Sequence, residues 1–301
     1  QPETHFFRKS ETMGNAPDKL APLRHEIDSI DENLHDLLMR RAEIVGEVGR
    51  QKASDGGPTF RPAREAQLLR RLLARHGGGL PKGVLVRIWR EIVASSTRLQ
   101  AAFSAGYCAI EGEEAALRLA HSQFGLDADV VRFASAAQVV SAVGRGEVSV
   151  GLVPPAHGSD APEWWAEMRN ASEVKIVARL PWFVSSGNSE NIDAFIVAAS
   201  APENSGDDRS VLTFSCDADV SRARFSELAA SNELDADTQA VANNPGDSGR
   251  RVHLVDVAGF VTADDPRVQG LATVLGEAEV SWLGAYAAPY IENAKHVTEQ
   301  D

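Results

Sequence analysis

The stretch that decides the fold is LRHEIDSIDENLHDLLMRRAEIVGEVGRQK, residues 23–52. Its apolar side chains recur at alternating steps of four and three residues, at Leu23, Ile27, Ile30, Leu34, Leu37, Ile44 and Val48. This spacing predicts one long amphipathic helix over residues 18–53. Because such a helix cannot bury its apolar stripe alone, it needs a partner along its whole length.

Two shorter helices are predicted downstream of this one. Residues 54–58 (SDGGP) end the first helix, and helical patterns then cover residues 62–76 and 81–105. We therefore predict an all-α domain of three helices over residues 18–104, preceded by a flexible tail over residues 1–17.

From about residue 106, short apolar runs alternate with helical patterns, which is typical of an α/β domain. We place this domain at residues 105–203 and a linker at residues 204–210, where NSGDDRS is rich in turn-forming residues. Beyond it, the order of strands and helices predicts a βαββαβ unit over residues 208–292, a small α+β sheet with two helices on one face. The predicted fold class is therefore multidomain.

Charge is distributed unevenly along the chain. The 301 residues include 30 Lys and Arg and 43 Asp and Glu, for a net charge of −13. Residues 1–104 hold 17 basic and 13 acidic side chains, which leaves 13 basic and 30 acidic ones in the rest. The acidic whole disfavours nucleic acid and anionic membranes as partners, whereas the basic first segment favours a small anionic ligand.

Several other classes of protein are disfavoured. No run of 18 apolar residues occurs, and the polar opening QPETHFFRKSETMG lacks the apolar core of a signal peptide, so we expect a cytoplasmic protein. Cys108 and Cys216 lack the spacing of a metal site, and none of the eight His forms an HxxxH or HExxH pair. We expect no metal and no cofactor.

One cation lies where the first helix should carry an aliphatic side chain. Arg41 occupies a position of the apolar stripe, where an unpaired charge costs several kcal/mol unless an anion joins it. Lys52 lies 11 residues on, which puts both cations within about 20° on one face. Arg24 lies about 25 Å from Arg41 along the axis, so it can share a small ligand only from a second, antiparallel chain.

Polar residues of the other two helices complete a candidate site. Ser96 and Gln100 are four residues apart and form one polar edge, while Arg64 and Glu65 begin the second helix. Each also has a purely structural interpretation, as a solvated residue, a surface ion pair or an ordinary contact between helices. Together they contain no nucleophile, metal-ligand set or catalytic His, which suits a reaction that needs charge placement without proton transfer.

The first hundred residues resemble the all-helical class of chorismate mutase, in the form that is fused to prephenate-processing domains. The resemblance rests on residues 23–52, on PTFRPAREAQLL at residues 58–69 and on RIWREIVASSTRLQ at residues 87–100. It implies an intertwined dimer, held through helix 18–53, that rearranges chorismate to prephenate in the biosynthesis of Phe and Tyr. Each site would be built mainly from one chain and closed by an Arg of the other.

The resemblance assigns the carboxylate-binding roles by position. Arg41 and Arg24 of the partner subunit would hold the two carboxylates of chorismate, with Arg64 assisting and Ser96 contacting a carboxylate. Arg61 stands where the family often has Asp, which makes the substrate-binding site more cationic.

The resemblance also assigns roles near the reacting bond. Lys52 and Gln100 would flank the ether oxygen of the breaking bond, and Glu65 would accept a hydrogen bond from the ring hydroxyl. With Arg41, these residues form the expected catalytic set.

The remainder resembles a degenerate, one-lobed prephenate dehydratase followed by an ACT-like domain. Residues 134–155 match a dehydratase segment, but the Thr-Arg-Phe motif reads Asp193-Ala194-Phe195, and VKIVARLPWFV runs almost directly into DAFIVAA without a second lobe. We therefore expect no dehydratase activity. The phenylalanine-binding motifs of ACT domains are not recognisable at residues 217–225 and 238–245, so the sequence does not support an amino-acid effector.

Two alternatives remain open. A sister reaction on the same helical scaffold, isochorismate pyruvate lyase or amino-chorismate mutase chemistry, is separated by product analysis. A non-catalytic regulator that senses chorismate or an aromatic amino acid is of a different class. Lys52 and Gln100 argue against it, because a sensor needs no donors at the ether oxygen.

Overall fold

The computed structural model describes residues 20–55, 57–110, 113–156, 164–170, 173–185, 192–244 and 247–292. The tail predicted at residues 1–17 lies outside these ranges. Within them, no helix combines the length and the apolar character that crossing a membrane requires. The expected cytoplasmic location stays a prediction.

Three helices form the first region, as predicted. They are α1 (Ala21–Asp55), α2 (Pro62–Arg75) and α3 (Lys82–Gln100). Helix α1 has 35 residues and is therefore about 52 Å long. Its residues 22–40 are all exposed, whereas the part from Arg41 onward packs against α3. The predicted apolar stripe is thus present but uncovered over much of its length.

Helix α3 ends at Gln100, five residues before the predicted end. The backbone becomes extended at Ala101 (φ −161°, ψ 164°) and enters a strand at Ser104. No Gly or Pro marks this end in the sequence. The ring of Phe103 instead lies 5.9 Å from that of Phe60 and 5.3 Å from that of Phe124, so packing in an aromatic cluster stabilises the extended backbone.

The α/β region alternates strands and helices. Its elements are β1 (Ser104–Tyr107), α4 (Glu113–Phe124), β2 (Asp129–Arg132), α5 (Ala136–Gly144), β3 (Val150–Val153), α6 (Trp164–Asn170), β4 (Lys175–Leu180), β5 (Phe183–Val184) and β6 (Ala194–Ala198). Strands β2, β1 and β3 are parallel neighbours, and β6 lies antiparallel between β3 and β4. One core cluster packs α5 and α6 on the sheet, and a second packs α4, so helices cover both faces.

The predicted βαββαβ unit is present in the last region. Its elements are β7 (Asp208–Asp217), α7 (Arg222–Ser231), β8 (Ala236–Asn244), β9 (Asp247–Ala258), α8 (Pro266–Val274) and β10 (Glu279–Ala287), followed by the short β11 (Tyr290–Ile291). The strand order is β10-β7-β9-β8, and all of these pairs are antiparallel. Helices α7 and α8 share one core cluster with this sheet.

The two sheets are continuous, which the sequence did not indicate. Strand β10 pairs with β4 in parallel, so nine strands form one sheet in the order β2-β1-β3-β6-β4-β10-β7-β9-β8. The backbones meet at Gly284, where a Cβ atom would lie 2.1 Å from the carbonyl oxygen of Ile176. Only glycine fits this junction.

The linker predicted at residues 204–210 is wrong. Ser205 and Asp208 are buried, and β7 already begins at Asp208. Arg70 of α2 donates to the carbonyl oxygens of Ser205 and Asp207, at 3.0 and 2.6 Å, and to that of Ala288 at 3.4 Å. The segment between β6 and β7 is therefore docked on the helical region, because α2 satisfies its backbone carbonyls.

Candidate active site

A cavity of about 410 Å³ lies between α1, α2 and α3. Seven of the eight predicted site residues line it, namely Arg41, Lys52, Arg61, Arg64, Glu65, Ser96 and Gln100. The eighth, Arg24, is not among the described residues that line the cavity. Apolar walls separate the polar groups and comprise Val45, Val48, Phe60, Leu68, Trp89 and Val93. Three helices thus bring a predominantly cationic set of side chains to one concave surface.

Arg41 is held by α3. Its Nη1 donates to the hydroxyl of Ser96, and that hydroxyl donates in turn to the carbonyl oxygen of Ile92 at 2.6 Å. Burial lowers the pKa of Arg41 from its ordinary value, although the guanidinium stays charged at every pH at which the protein is folded. The predicted break in the apolar stripe is therefore a guanidinium facing the cavity between two helices.

Gln100 lies at a close contact between α1 and α3. A Cβ atom added at Gly49 would lie 2.9 Å from the Cα atom of Gln100, so the absence of a side chain at Gly49 permits the contact. Gln100 donates from Nε2 to the carbonyl oxygen of Ser96 at 3.0 Å. Its Oε1 is buried without a hydrogen-bond partner in the described part of the chain. One Nε2 hydrogen thus remains for a ligand.

Lys52 lies at the last turn of α1. Its Nζ donates to the carbonyl oxygen of Pro58 at 2.9 Å, which leaves two further donors on the ammonium. Burial lowers the pKa of Lys52, repulsion from Arg61 lowers it further, and attraction to Glu203 opposes both. The pKa of this ammonium therefore depends on neighbours outside α1.

Glu65 is engaged on the side of the α/β region. Its Oε2 accepts a hydrogen bond from Nε2 of Gln123 at 3.1 Å. Its Oε1 lies 3.2 Å from Nη1 of Arg90, which is an ion pair whose angles are poor for a hydrogen bond. Only 9% of Glu65 is exposed, so its carboxylate is strongly oriented.

The other arginines of the wall differ in their surroundings. Arg61 forms an ion pair with Glu203, with 2.8 Å between Nη2 and Oε1. Arg64 is exposed and forms no ion pair with another described residue. Arg71 also lines the cavity, a position that the sequence analysis missed. Arg64 is accordingly more available to an anionic ligand than Arg61.

Arg24 lies on the exposed half of α1. It is 17 residues before Arg41 on one unbroken helix, hence about 25 Å away along the axis. The apolar side chains beside it, Leu23 and Ile27, are each 56% exposed. Within one chain, the structure does not bring Arg24 to the cavity.

Three contacts of the site were not found from the sequence. Gln123, Arg90 and Glu203 contact residues of the cavity wall, and Gln123 and Glu203 do so across sequence separations of 58 and 142 residues. No periodicity or local motif links residues so far apart. Only Arg90 carried a local signal, since it lies in the matching stretch RIWREIVASSTRLQ.

A comparison of sequences shows which family the helical region resembles. Residues 23–101 match the family described as Chorismate mutase type II. Over this range the chain is similar to the type II chorismate mutases. The match spans α1 to α3 and contains every predicted site residue. It confirms the resemblance stated for the first hundred residues.

Curated relatives extend the similarity beyond the helical region. A bifunctional chorismate mutase/prephenate dehydratase from Pseudomonas aeruginosa is 34% identical over 145 residues, which covers 46% of this chain and 39% of that protein. A T-protein from Enterobacter agglomerans is 38% identical over 79 residues, covering 26% of this chain and 21% of that protein. The chain thus spans about two fifths of the Pseudomonas relative.

A solved prephenate dehydratase from Streptococcus mutans is also similar. It is 14% identical, and the match covers 63% of this chain and 100% of that one, with a TM-score of 0.45. The predicted layout, a helical mutase domain followed by a mixed α/β region, is confirmed by the family match and by the observed order of elements.

Proposed function

We propose that this protein is a chorismate mutase, which rearranges chorismate to prephenate. The observation that carries the proposal is the common cavity of Arg41, Lys52, Ser96 and Gln100, built from α1 and α3 of a type II mutase domain. The rearrangement breaks one C–O bond as one C–C bond forms within the same molecule. It needs neither a nucleophile nor a proton donor, which agrees with the residues that line the cavity.

Substrate binding is assigned to the arginines. Chorismate carries two carboxylates, and Arg41 with Arg64 offers planar donors suited to them. Holding both carboxylates selects the compact conformer in which the reacting carbons approach, an orientation effect that is worth several kcal/mol. The bond from Arg41 to Ser96 fixes the guanidinium before the substrate arrives.

Catalysis is assigned to Lys52 and Gln100. Negative charge grows on the ether oxygen as the C–O bond breaks, so donors aimed at that oxygen stabilise the transition state more than the substrate. Lys52 retains two donors and Gln100 retains one after their contacts with backbone carbonyls. Removing one such donor typically costs about a hundredfold in turnover.

We further propose a homodimer in which α1 pairs with its antiparallel copy. Apolar side chains along α1 are more than half exposed, namely Leu23, Ile27, Ile30, Leu34 and Leu37. An exposed stripe of this length favours burial against a second helix. The same packing would carry Arg24 of the partner subunit toward Arg41 and close the site.

Loss of dehydratase activity also remains part of the proposal. Thirteen residues separate the end of β4 at Leu180 from the start of β6 at Ala194, which is too few for a second lobe. Asp193, which occupies the first position of the altered motif, forms an ion pair with Arg179 at 2.6 Å. This pairing supports a structural role for the position.

The test is turnover of chorismate with identification of the product. Lys52→Ala and Gln100→Ala should each lower kcat about a hundredfold with little change in thermal stability. Lys82→Ala and Gln269→Ala are the matched controls, because they remove the same residue types outside the cavity. Wild-type turnover by all four variants would remove Lys52 and Gln100 from the mechanism, and a product other than prephenate would favour a sister reaction.

A further inference from the structure

Two side chains from outside the three helices contact the wall of the mutase cavity. Glu203, between β6 and β7, accepts hydrogen bonds from Nε of Arg61 at 3.0 and 3.1 Å in addition to its ion pair. Gln123, in α4, donates to Glu65 at 3.1 Å. Arg61 and Glu65 both line the cavity.

We propose that Glu203 and Gln123 are positioning residues of the mutase site, so that the region after residue 104 is a working part of the enzyme. The inference rests on the proposed function, because it concerns the same cavity. Neither residue touches the substrate in this proposal; each acts through a residue of the wall.

Glu203 controls the charge around Lys52. The other charged residues of the wall are Arg41 on α1 and Arg64, Glu65 and Arg71 on α2, and α3 contributes none. Burial lowers the pKa of Lys52, Arg61 lowers it further and Glu203 raises it, so the carboxylate opposes the effect of the extra cation. The ammonium form of Lys52 donates to the ether oxygen more strongly than the neutral amine would. Glu203 therefore favours the charged form of this donor.

Gln123 controls the orientation of Glu65. The carboxylate lies between Arg90 of α3 and Gln123 of α4, and Gln123 is only 5% exposed. A buried carboxylate oxygen that loses its hydrogen-bond donor is destabilised by the desolvation of an unpaired charge. The carboxylate then rotates toward another donor. If Glu65 accepts from the ring hydroxyl of the substrate, Gln123 sets the position of that acceptor.

The contacts around Glu203 make it a fixed group. Gln67 of α2 donates to the carbonyl oxygen of Asn204 at 3.3 Å, and Arg70 donates to both the carbonyl and hydroxyl oxygens of Ser205 at 3.0 Å. The residues that follow Glu203 are thus tied to the helix that carries the cavity wall. This attachment distinguishes Glu203 from a freely moving surface carboxylate.

Glu203→Gln tests the first half of the inference. The Arg61 and Glu203 side chains are 40% and 39% exposed, so their ion pair contributes little to stability and the variant should fold. We expect the pKa of Lys52, followed by NMR of labelled lysine, to fall, and the alkaline limb of the kcat profile to move to lower pH by the same amount. Adding Arg61→Gln should return both toward the wild type.

Glu147→Gln is the matched control. It removes an exposed ion pair of similar geometry, 2.7 Å from Nε of Arg145, away from the cavity. Neither the Lys52 pKa nor the pH profile should change in it. If Lys52 titrates identically in Glu203→Gln and in the wild type, the role of Glu203 is overturned.

Gln123→Leu tests the second half. With chorismate, kcat/KM should fall about tenfold or more, as expected when a hydrogen bond to a charged group is lost. With an analogue of chorismate that lacks the ring hydroxyl, the variant and the wild type should differ little. An equal loss with both substrates would mean a merely structural role and would overturn this half.

The proposed function and this inference fail in different ways. A wild-type chain that does not consume chorismate refutes the function, whereas the Lys52 titration still decides the role of Glu203. An active wild type whose variants show no change refutes the inference alone.

Discussion

Substituting Gly49 by Ala should damage the site without touching any of its polar groups. The added Cβ would lie 2.9 Å from Cα of Gln100 and 3.2 and 3.3 Å from its Cγ and Cβ atoms. Carbon atoms normally approach to about 3.5–4.0 Å. Helices α1 and α3 must therefore separate by roughly 0.6 Å or more at this point, because the nearest obstacle is backbone.

Two opposing contributions set the change in the free energy of unfolding that Gly49→Ala causes. Overpacking a tight contact costs about 1–3 kcal/mol, and the higher helix propensity of Ala returns about 1 kcal/mol. The free energy of unfolding should thus fall by about 0–2 kcal/mol. A catalytic group displaced by about 1 Å loses about a hundredfold in rate, so a smaller shift of Gln100 should lower kcat by about tenfold or more.

Gly46→Ala is the control for helix propensity. Its added Cβ would meet only Nη1 of Arg50, at 3.7 Å, which is an ordinary contact. This variant should keep wild-type kcat and gain up to about 1 kcal/mol of stability. Chorismate consumption and urea unfolding measure both quantities. If Gly49→Ala keeps full kcat, or if Gly46→Ala loses as much, the close approach does not position Gln100.

Three further outcomes are expected. Arg24→Ala and Arg41→Ala chains should each be inactive. A dimer of one chain of each variant should nevertheless regain activity in one of its two sites. If mixing the two variants restores no activity, the site is not shared between chains. Prephenate incubated with the protein at neutral pH should yield no phenylpyruvate above background. Clear production of phenylpyruvate would establish a dehydratase activity. Burial lowers the pKa of His253 from 6.5 to about 4, so between these pH values the unfolded chain binds more protons than the folded one. The free energy of unfolding, measured with urea, should therefore decline as pH falls from 6.5 to about 4. His253→Leu should flatten that decline.

The helices and much of the sheet were predictable because their signals are local. The alternation of fours and threes in residues 23–52 specifies a helix from side-chain spacing alone, and Arg41 is conspicuous because it interrupts that spacing. The βαββαβ order was predictable for the same reason. The end of α3 was not, because packing of Phe103 against Phe60 and Phe124 decides it.

The candidate site divides along the same line. The spacing of Arg41, Lys52, Ser96 and Gln100 predicted which helix face each residue occupies. Once α1, α2 and α3 pack together, these faces meet in one cavity. The ion pair between Arg61 and Glu203 had no such signal. A contact across 142 residues depends on the path of the chain through the sheet.

The amino-acid sequence alone determined that residues 23–52 form a long amphipathic helix with a cation, Arg41, in its apolar stripe, because helix periodicity and charge are properties of neighbouring residues. The tertiary structure alone decided that nine of the described strands form one sheet, joined where Gly284 meets Ile176. It also decided that Gln123 of α4 and Glu203, between β6 and β7, contact the region of α2 through Glu65 and Arg61. Such contacts arise only when the chain has folded, since they join residues whose separation in sequence carries no information about their separation in space.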